Sequence, residues 1–216
     1  MISFSQDFDA RRDRMVRSQL AARGIHDARV LHAMSTVPRQ EFVPENLRED
    51  AYEDHPLPIG EDQTISQPYI VAAMLEQLAL RSTDRVLEIG TGSGYVTALL
   101  SVMTAEVYTV ERFPSLSQSA TKTLVRLGHC NVHFNVADGR EGWPEHAPYD
   151  KILVSAATAE VPPALFVQLA EAGCMIIPVG GPTSQELQLI RKQNGKPEIT
   201  SSEGCRFVPL LEGKVD

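Results

Sequence analysis

The stretch Val86-Leu87-Glu88-Ile89-Gly90-Thr91-Gly92-Ser93-Gly94-Tyr95 is a short apolar run carrying one acid and closing on three alternating glycines. It reads as a strand that stops abruptly, turns on glycine and feeds a helix running from Tyr95 to about Met103. Gly90, Gly92 and Gly94 let the backbone approach a ligand where a Cβ would collide. The free N–H groups opening the following helix favour polar or anionic ligand groups. The stretch therefore points to a nucleoside-containing cofactor held at a strand end.

Details of the loop choose among cofactors. The dinucleotide fingerprint is G-x-G-x-x-G, whereas here the glycines alternate, with Glu88 just before them. A carboxylate so close to the turn would accept from the amino group of an amino-acid moiety and repel a pyrophosphate. Glu111 ends the next apolar run, Val107-Tyr108-Thr109-Val110, where it suits a bidentate grip on ribose hydroxyls. Asp138-Gly139 follows a further strand and is placed to reach an adenine edge, although Asp-Gly is also a common turn signal. Acids and glycines at three successive strand ends fit S-adenosyl-L-methionine better than a nicotinamide dinucleotide.

With 216 residues, 43% of them hydrophobic, the chain can bury the core of one α/β domain. Lysine and arginine total 20 against 28 acids, a net charge of −8, which argues against a nucleic-acid binder because phosphate contacts need a basic face. Arg11, Arg12, Arg14, Arg17 and Arg23 interleave with Asp7, Asp9 and Asp13, which reads as a solvated helix face. Cys130, Cys174 and Cys205 are dispersed, as expected of small core residues in a reducing compartment. His129 and His133 flank a strand entry rather than sharing a helical face, so no metal is expected. No segment approaches about 18 apolar residues and no signal-peptide pattern opens the chain, so the expectation is a soluble cytoplasmic protein without a membrane partner.

Two amphipathic helices are expected first, over about 9–23 and 27–35, followed by irregular chain around Pro38, Pro44, Pro56 and Pro58. Pro68, with Ser66 near the cap position, then opens a helix to about Leu80. From Arg85 strands are expected at about 85–89, 106–110, 131–136, 150–154 and 173–178, alternating with helices at about 95–103, 114–127 and 162–170. Two further strands, over about 185–191 and 206–210, would close one edge. The fold class that follows is α/β: a Rossmann-like, doubly wound, mainly parallel sheet with an antiparallel edge and an N-terminal helical extension. A single domain over 1–216 is expected, with helices and a substrate loop in 1–84 and the cofactor-binding core in 85–216. No coiled coil or long apolar face stands out, so the expected state is a monomer.

At these residues the chain resembles the protein-L-isoaspartate O-methyltransferases. The likeness includes Val37-Pro38-Arg39, Phe42-Val43-Pro44, Leu57-Pro58-Ile59-Gly60 and Gln63-Thr64-Ile65-Ser66-Gln67-Pro68-Tyr69. It continues through the glycine loop, Asp138-Gly139, Pro148-Tyr149-Asp150, Pro178-Val179-Gly180 and Arg206-Phe207-Val208-Pro209-Leu210. The Gln63–Tyr69 run is the most family-specific, because it lies outside the common methyltransferase fold. The resemblance implies methyl transfer from S-adenosyl-L-methionine to the free α-carboxylate of L-isoaspartyl residues in damaged proteins and peptides, leaving S-adenosyl-L-homocysteine. The ester then cyclises to a succinimide that reopens partly to aspartate. By matching positions, the resemblance makes Ser66 the active-site serine and Ile59, Gly60, Glu61, Asp62 and Thr64 the lid and substrate loop. It gives the cofactor to Glu88, Gly90, Thr91, Gly92, Gly94, Glu111, Asp138 and Gly139. Glu61-Asp62 and the segment Ser155–Pro162 depart from the family pattern, leaving peptide preference open.

The chemistry needs little machinery. A free α-carboxyl, with a reference pKa of about 3.5, is ionised at neutral pH, so no general base is required. Alignment of the reactants and exclusion of water carry the rate, and Ser66 would orient the carboxylate rather than attack. A methyltransferase acting on RNA or a small-molecule carboxylate is the alternative; the acidic charge and the lack of an Asn/Asp-Pro-Pro-Tyr motif weigh against RNA. A cofactor-binding module without activity is disfavoured by the intact loop, acids and serine. An oxidoreductase is disfavoured by the glycine spacing.

Overall fold

The computed structural model describes residues 4–213. The N-terminal helix α1 (Phe4–Met15) runs on through a π-helical turn over Val16–Leu20 and a 3-10 turn over Ala21–Arg23. Its arginines are not merely solvated. Arg11 pairs with Asp7 at 2.9 Å and with Glu49 at 2.8 Å, and Arg12 Nε donates to the Ser35 carbonyl at 2.6 Å, so this face docks on later chain. Helix α2 (Ala28–Thr36) is capped by Asp27, whose carboxylate accepts from the Arg29 N–H at 2.8 Å.

Where irregular chain was expected, β1 (Leu57–Gly60) and β2 (Gln63–Ile65) form a two-stranded antiparallel hairpin. Gly60 faces Gln63 across it, and the two-residue loop Glu61-Asp62 has φ of 51° and 54°. Positive φ at both loop residues is the type I′ geometry, whose twist suits a two-residue hairpin. Asp tolerates that region better than Glu, and neither residue announces a hairpin as glycine would. Helix α3 (Pro68–Leu78) follows, with Pro68 at its first turn.

The alternating portion comprises β3 (Arg85–Ile89), α4 (Tyr95–Met103), β4 (Glu106–Glu111), α5 (Pro114–Arg126), β5 (Val132–Val136), β6 (Tyr149–Val154), α6 (Pro163–Gln168), β7 (Leu169–Gly180), β8 (Gln185–Gln193) and β9 (Lys196–Cys205). The large sheet has the order β5-β4-β3-β6-β7-β8-β9, parallel from β5 to β7 and antiparallel through β8 and β9. Chain order reverses between β3 and β6, and the crevice outside their carboxyl ends is where such sheets bind ligands. The last expected strand is displaced: β9 covers Lys196–Cys205, while Arg206–Leu210 is irregular and touches the sheet through a bridge from Pro209 to Ala157. Asn194 and Gly195, at φ 52° and 72°, form the turn that folds β9 back onto β8.

Strand alternation divides the core. Leu87, Ile89, Tyr108 and Val110 pack on one face of the sheet with Ile152, Leu165 and Ile177. Val86 and Val107 point to the other face, into a cluster that continues through α4 and α3 to Met15, Val30 and Met34 of the N-terminal helices. The helical extension thereby covers the same side of the sheet as α4.

Candidate active site

At the switch point lies an open crevice. Its floor is Ile89 to Ser93, its sides are Val110–Phe113 and Ser155–Ala156, and Val208–Leu211 crosses one rim. The hairpin residues Ile59, Gln63 and Thr64 also line the crevice, with Ile65 and Ser66 beside them. Parallel pairing builds the floor: the Gly90 N–H donates to the Val110 carbonyl, and the Ser155 N–H donates to the Ile89 carbonyl, each at 2.9 Å.

Of the expected glycines, Gly90, Gly92 and Gly139 line the crevice. Gly92 has φ +52°, and a Cβ there would come 3.3 Å from Ile59 Cδ1, filling the gap between loop and hairpin. Gly94 serves differently. At φ +88° it starts α4, and a Cβ would meet Ala120 and Leu124 of α5 at 3.1 Å, so it allows two helices to close-pack behind the loop. Thr91 also lines the crevice.

The three acids have three different placements. Glu111 is 5% exposed and lines the crevice; its Oε2 accepts from the Gly92 N–H at 2.8 Å and its Oε1 from the Phe113 N–H at 3.0 Å. A carboxylate offers about four lone-pair sites, so each oxygen keeps one for a ligand hydroxyl. Asp138 instead takes the turn reading: Oδ1 accepts from the Arg140 N–H at 2.9 Å and Oδ2 from the Gly213 N–H at 2.7 Å. Its neighbour Gly139 reaches the crevice in its place, close against Ile89, whose Cγ2 would lie 2.5 Å from an added Cβ.

Glu88 departs most from expectation, because its side chain does not line the crevice. It lies one residue before Ile89, on the opposite face of β3, and is fully buried. Its Oε2 accepts from Thr97 of α4 and from Thr109 of β4, both at 2.6 Å, while Oε1 has no partner. Because Thr109 spends its proton on Glu88, Thr91 must donate across the 2.6 Å contact between the two threonine hydroxyls. Desolvation by burial pushes the Glu88 carboxyl up to about 8, outweighing the two hydroxyl donors.

Ser66 also differs from the helix-cap reading. Gln67 occupies the cap position of α3, with no side-chain cap bond. Ser66 lies in a wall common to the cofactor crevice and a second, open groove lined by Tyr69, Pro182, Ser184 and Cys205–Pro209. Thr64, Ser155, Val208 and Pro209 share that wall. Of the expected lid residues, Ile59 and Thr64 face the crevice, whereas Gly60, Glu61 and Asp62 form the tip of the hairpin, where Glu61 Oε1 accepts from Ser115 of α5 at 2.6 Å. Sequence reading set the segment Ser155–Pro162 beside the substrate site without giving Ser155 or Ala156 a place in the crevice, and it missed Val208–Leu211 as lining. The irregular Val-Pro sequence after β9 was the available signal, obscured by reading it as a strand.

The family model for protein-L-isoaspartate(D-aspartate) O-methyltransferase matches residues 10–215. A protein-L-isoaspartate O-methyltransferase of Koribacter versatilis is 53% identical over 200 residues, covering 93% of this chain and 90% of the relative. A Plasmodium falciparum structure assigned to the same enzyme class, in complex with S-adenosyl-L-homocysteine, superposes with a TM-score of 0.81 at 27% identity, covering 94% of this chain and 98% of that one. A longer solved protein-L-isoaspartate O-methyltransferase gives a TM-score of 0.83 at 32% identity; this chain is covered to 93% and spans 66% of that protein.

Proposed function

The chain belongs to the protein-L-isoaspartate(D-aspartate) O-methyltransferase family, and from that premise we propose that Ser66 receives the methyl-accepting carboxylate while Glu111, Thr91 and the Gly90–Gly92 loop hold the cofactor. The protein is a repair enzyme that methylates the free α-carboxylate of L-isoaspartyl residues, with S-adenosyl-L-methionine as methyl donor. The crevice suits that donor. Glu111 has lone pairs left for ribose hydroxyls, and the glycine loop leaves open the space a Cβ at Gly92 would take. When bound, S-adenosyl-L-methionine supplies an electrophilic methyl group on a sulfonium centre.

The observation that carries the assignment is the wall shared by crevice and groove. A peptide in the groove meets the crevice at the residues that line both, Thr64, Ser66, Ser155, Val208 and Pro209. The Ser66 hydroxyl makes no hydrogen bond among the described residues and is free to donate to the incoming carboxylate. That bond fixes which oxygen points into the crevice. The carboxylate arrives ionised, so Ser66 has no proton to remove. Ile59, Val208 and Pro209 make the meeting point apolar, which favours a step in which opposite charges neutralise. Pre-orientation of two reactants supplies roughly 7–11 kcal/mol in favourable cases. The net charge of −8 favours polypeptide over nucleic acid as substrate, and action in the cytoplasm as a monomer belongs to the same reading. No helix among the described residues is long and apolar enough to cross a membrane.

The test is transfer of labelled methyl to matched peptides differing only in L-isoaspartyl or L-aspartyl linkage. Base-labile label on the isoaspartyl peptide alone is expected. Equal labelling of both, or of neither while the cofactor still binds, would overturn the assignment.

A further inference from the structure

Arg39 is fully buried, yet among the described residues it forms no ion pair with a carboxylate. Its Nε donates to the Ala51 carbonyl at 2.7 Å, its Nη2 donates to the Ser66 carbonyl at 2.8 Å, and its Nη1 has no partner. The guanidinium carbon stands 4.8 Å from the centre of the Tyr95 ring, and Tyr95 lines the cofactor crevice. Asp54, a nearby acid, is already engaged by Arg23 and by the Tyr69 N–H. Burying a cation without a counter-ion is costly, and a neutral side chain could brace two carbonyls more cheaply. Among the described residues the charge thus has no ion-pair partner, and it donates to the carbonyl of Ser66 itself.

We infer that Arg39 is the positioning residue of the acceptor site: it holds the Ser66 main chain, and its unpaired charge draws the substrate carboxylate to the Ser66 hydroxyl. This rests on the assignment of Ser66 made above. The direction of the effect follows from the reaction. The acceptor is an anion before transfer and a neutral ester afterwards, so a fixed cation behind it stabilises bound substrate more than transition state or product. Arg39 thus lowers KM without raising kcat, and releases the ester once its charge is gone. At an effective dielectric of about 20, a unit charge up to about 10 Å from a carboxylate changes binding by roughly an order of magnitude or more.

The experiment compares Arg39→Met and Arg39→Lys with the unaltered enzyme, and runs Ser66→Ala alongside. Steady-state rates are measured against an isoaspartyl peptide, cofactor affinity by calorimetry, and inhibition by the same peptide carrying an α-carboxamide in place of the α-carboxylate. For R39M, peptide KM is expected to rise about tenfold or more while cofactor affinity stays within about twofold. R39K is expected to recover most of the loss, and the uncharged carboxamide peptide to inhibit all three proteins equally. Unchanged KM in R39M, equal weakening of carboxylate and carboxamide peptides, or R39K as poor as R39M would overturn the inference. If R39M does not fold, Arg39→Gln, which keeps donors for both carbonyls, is judged by the same criteria. Full activity in S66A would instead overturn the assignment of Ser66 itself, so the two failures are distinct.

Discussion

Replacing Glu88 by glutamine is expected to stabilise the protein at alkaline pH and to leave it unchanged in mild acid. The folded protein holds this carboxyl at about 8, against an ordinary 4.5, because it is fully desolvated beneath the glycine loop. Between those two values the unfolded chain has lost the proton and the folded protein retains it, so stability falls as pH rises through that window and is level above it. Each pH unit of the window costs about 1.4 kcal/mol, which over the whole interval amounts to about 5 kcal/mol. Glutamine removes the titration and keeps the contacts, since its carbonyl oxygen can accept from Thr97 and Thr109 as Oε2 does. Urea unfolding of both proteins without cofactor, at intervals from pH 5 to pH 9, measures the effect. Other groups titrate in that range, so the informative quantity is the difference between the two proteins. It should be near zero at pH 5 and grow to several kcal/mol by pH 8 to 9. Parallel profiles would refute the account of Glu88 as a neutral, buried acid. Because the side chain does not line the crevice, cofactor affinity of E88Q is expected to stay within about threefold; loss comparable to that of a charged hydrogen bond, about 1.5–3 kcal/mol, would mean that Glu88 contacts the ligand directly.

Three further outcomes follow from the same geometry. Ser66→Ala is expected to keep the fold and cofactor affinity while lowering turnover of isoaspartyl peptide by about one to two orders of magnitude, as for loss of an orienting hydrogen bond, read by the labelled-methyl assay. Glu111→Ala removes the acceptor of the Gly92 and Phe113 N–H groups and is expected to weaken S-adenosyl-L-methionine binding by about 1–3 kcal/mol in calorimetry. Gly94→Ala forces a Cβ against Ala120 and Leu124 at φ +88° and is expected to cost about 1–3 kcal/mol, seen as a lower melting temperature with cofactor chemistry otherwise intact.

The parts of this molecule legible from its sequence are those in which local pattern and tertiary role coincide. The run from Val86 to Tyr95 is a buried strand, a glycine turn and a helix start, and each feature is dictated within a few residues. The antiparallel edge was harder, because Asn194-Gly195 and Arg206–Leu210 compete for the same strand and only the first has the positive φ a tight hairpin needs. The β1–β2 hairpin was illegible for the opposite reason: its turn is built on Glu61 and Asp62, which carry little signal for that geometry.

The acids show most clearly why spacing alone misplaces a site. Glu88, Thr109 and Glu111 project from the same face of neighbouring strands, with Glu88 in register with Thr109. Glu88 is two residues short of the glycine turn, so Thr91, Thr97 and Thr109 roof it over and its charge is suppressed. Glu111 ends its strand, one pleat further along, where backbone N–H groups of the loop meet it and its remaining lone pairs face the crevice. A displacement of one pleat, about 7 Å along a strand, thus separates a neutral acid under the loop from a ligand-facing carboxylate. Arg39 reached its place by a longer route: only the tertiary fold brings a residue after α2 beneath Ser66, so Val37-Pro38-Arg39 marked the family resemblance without pointing to the acceptor site.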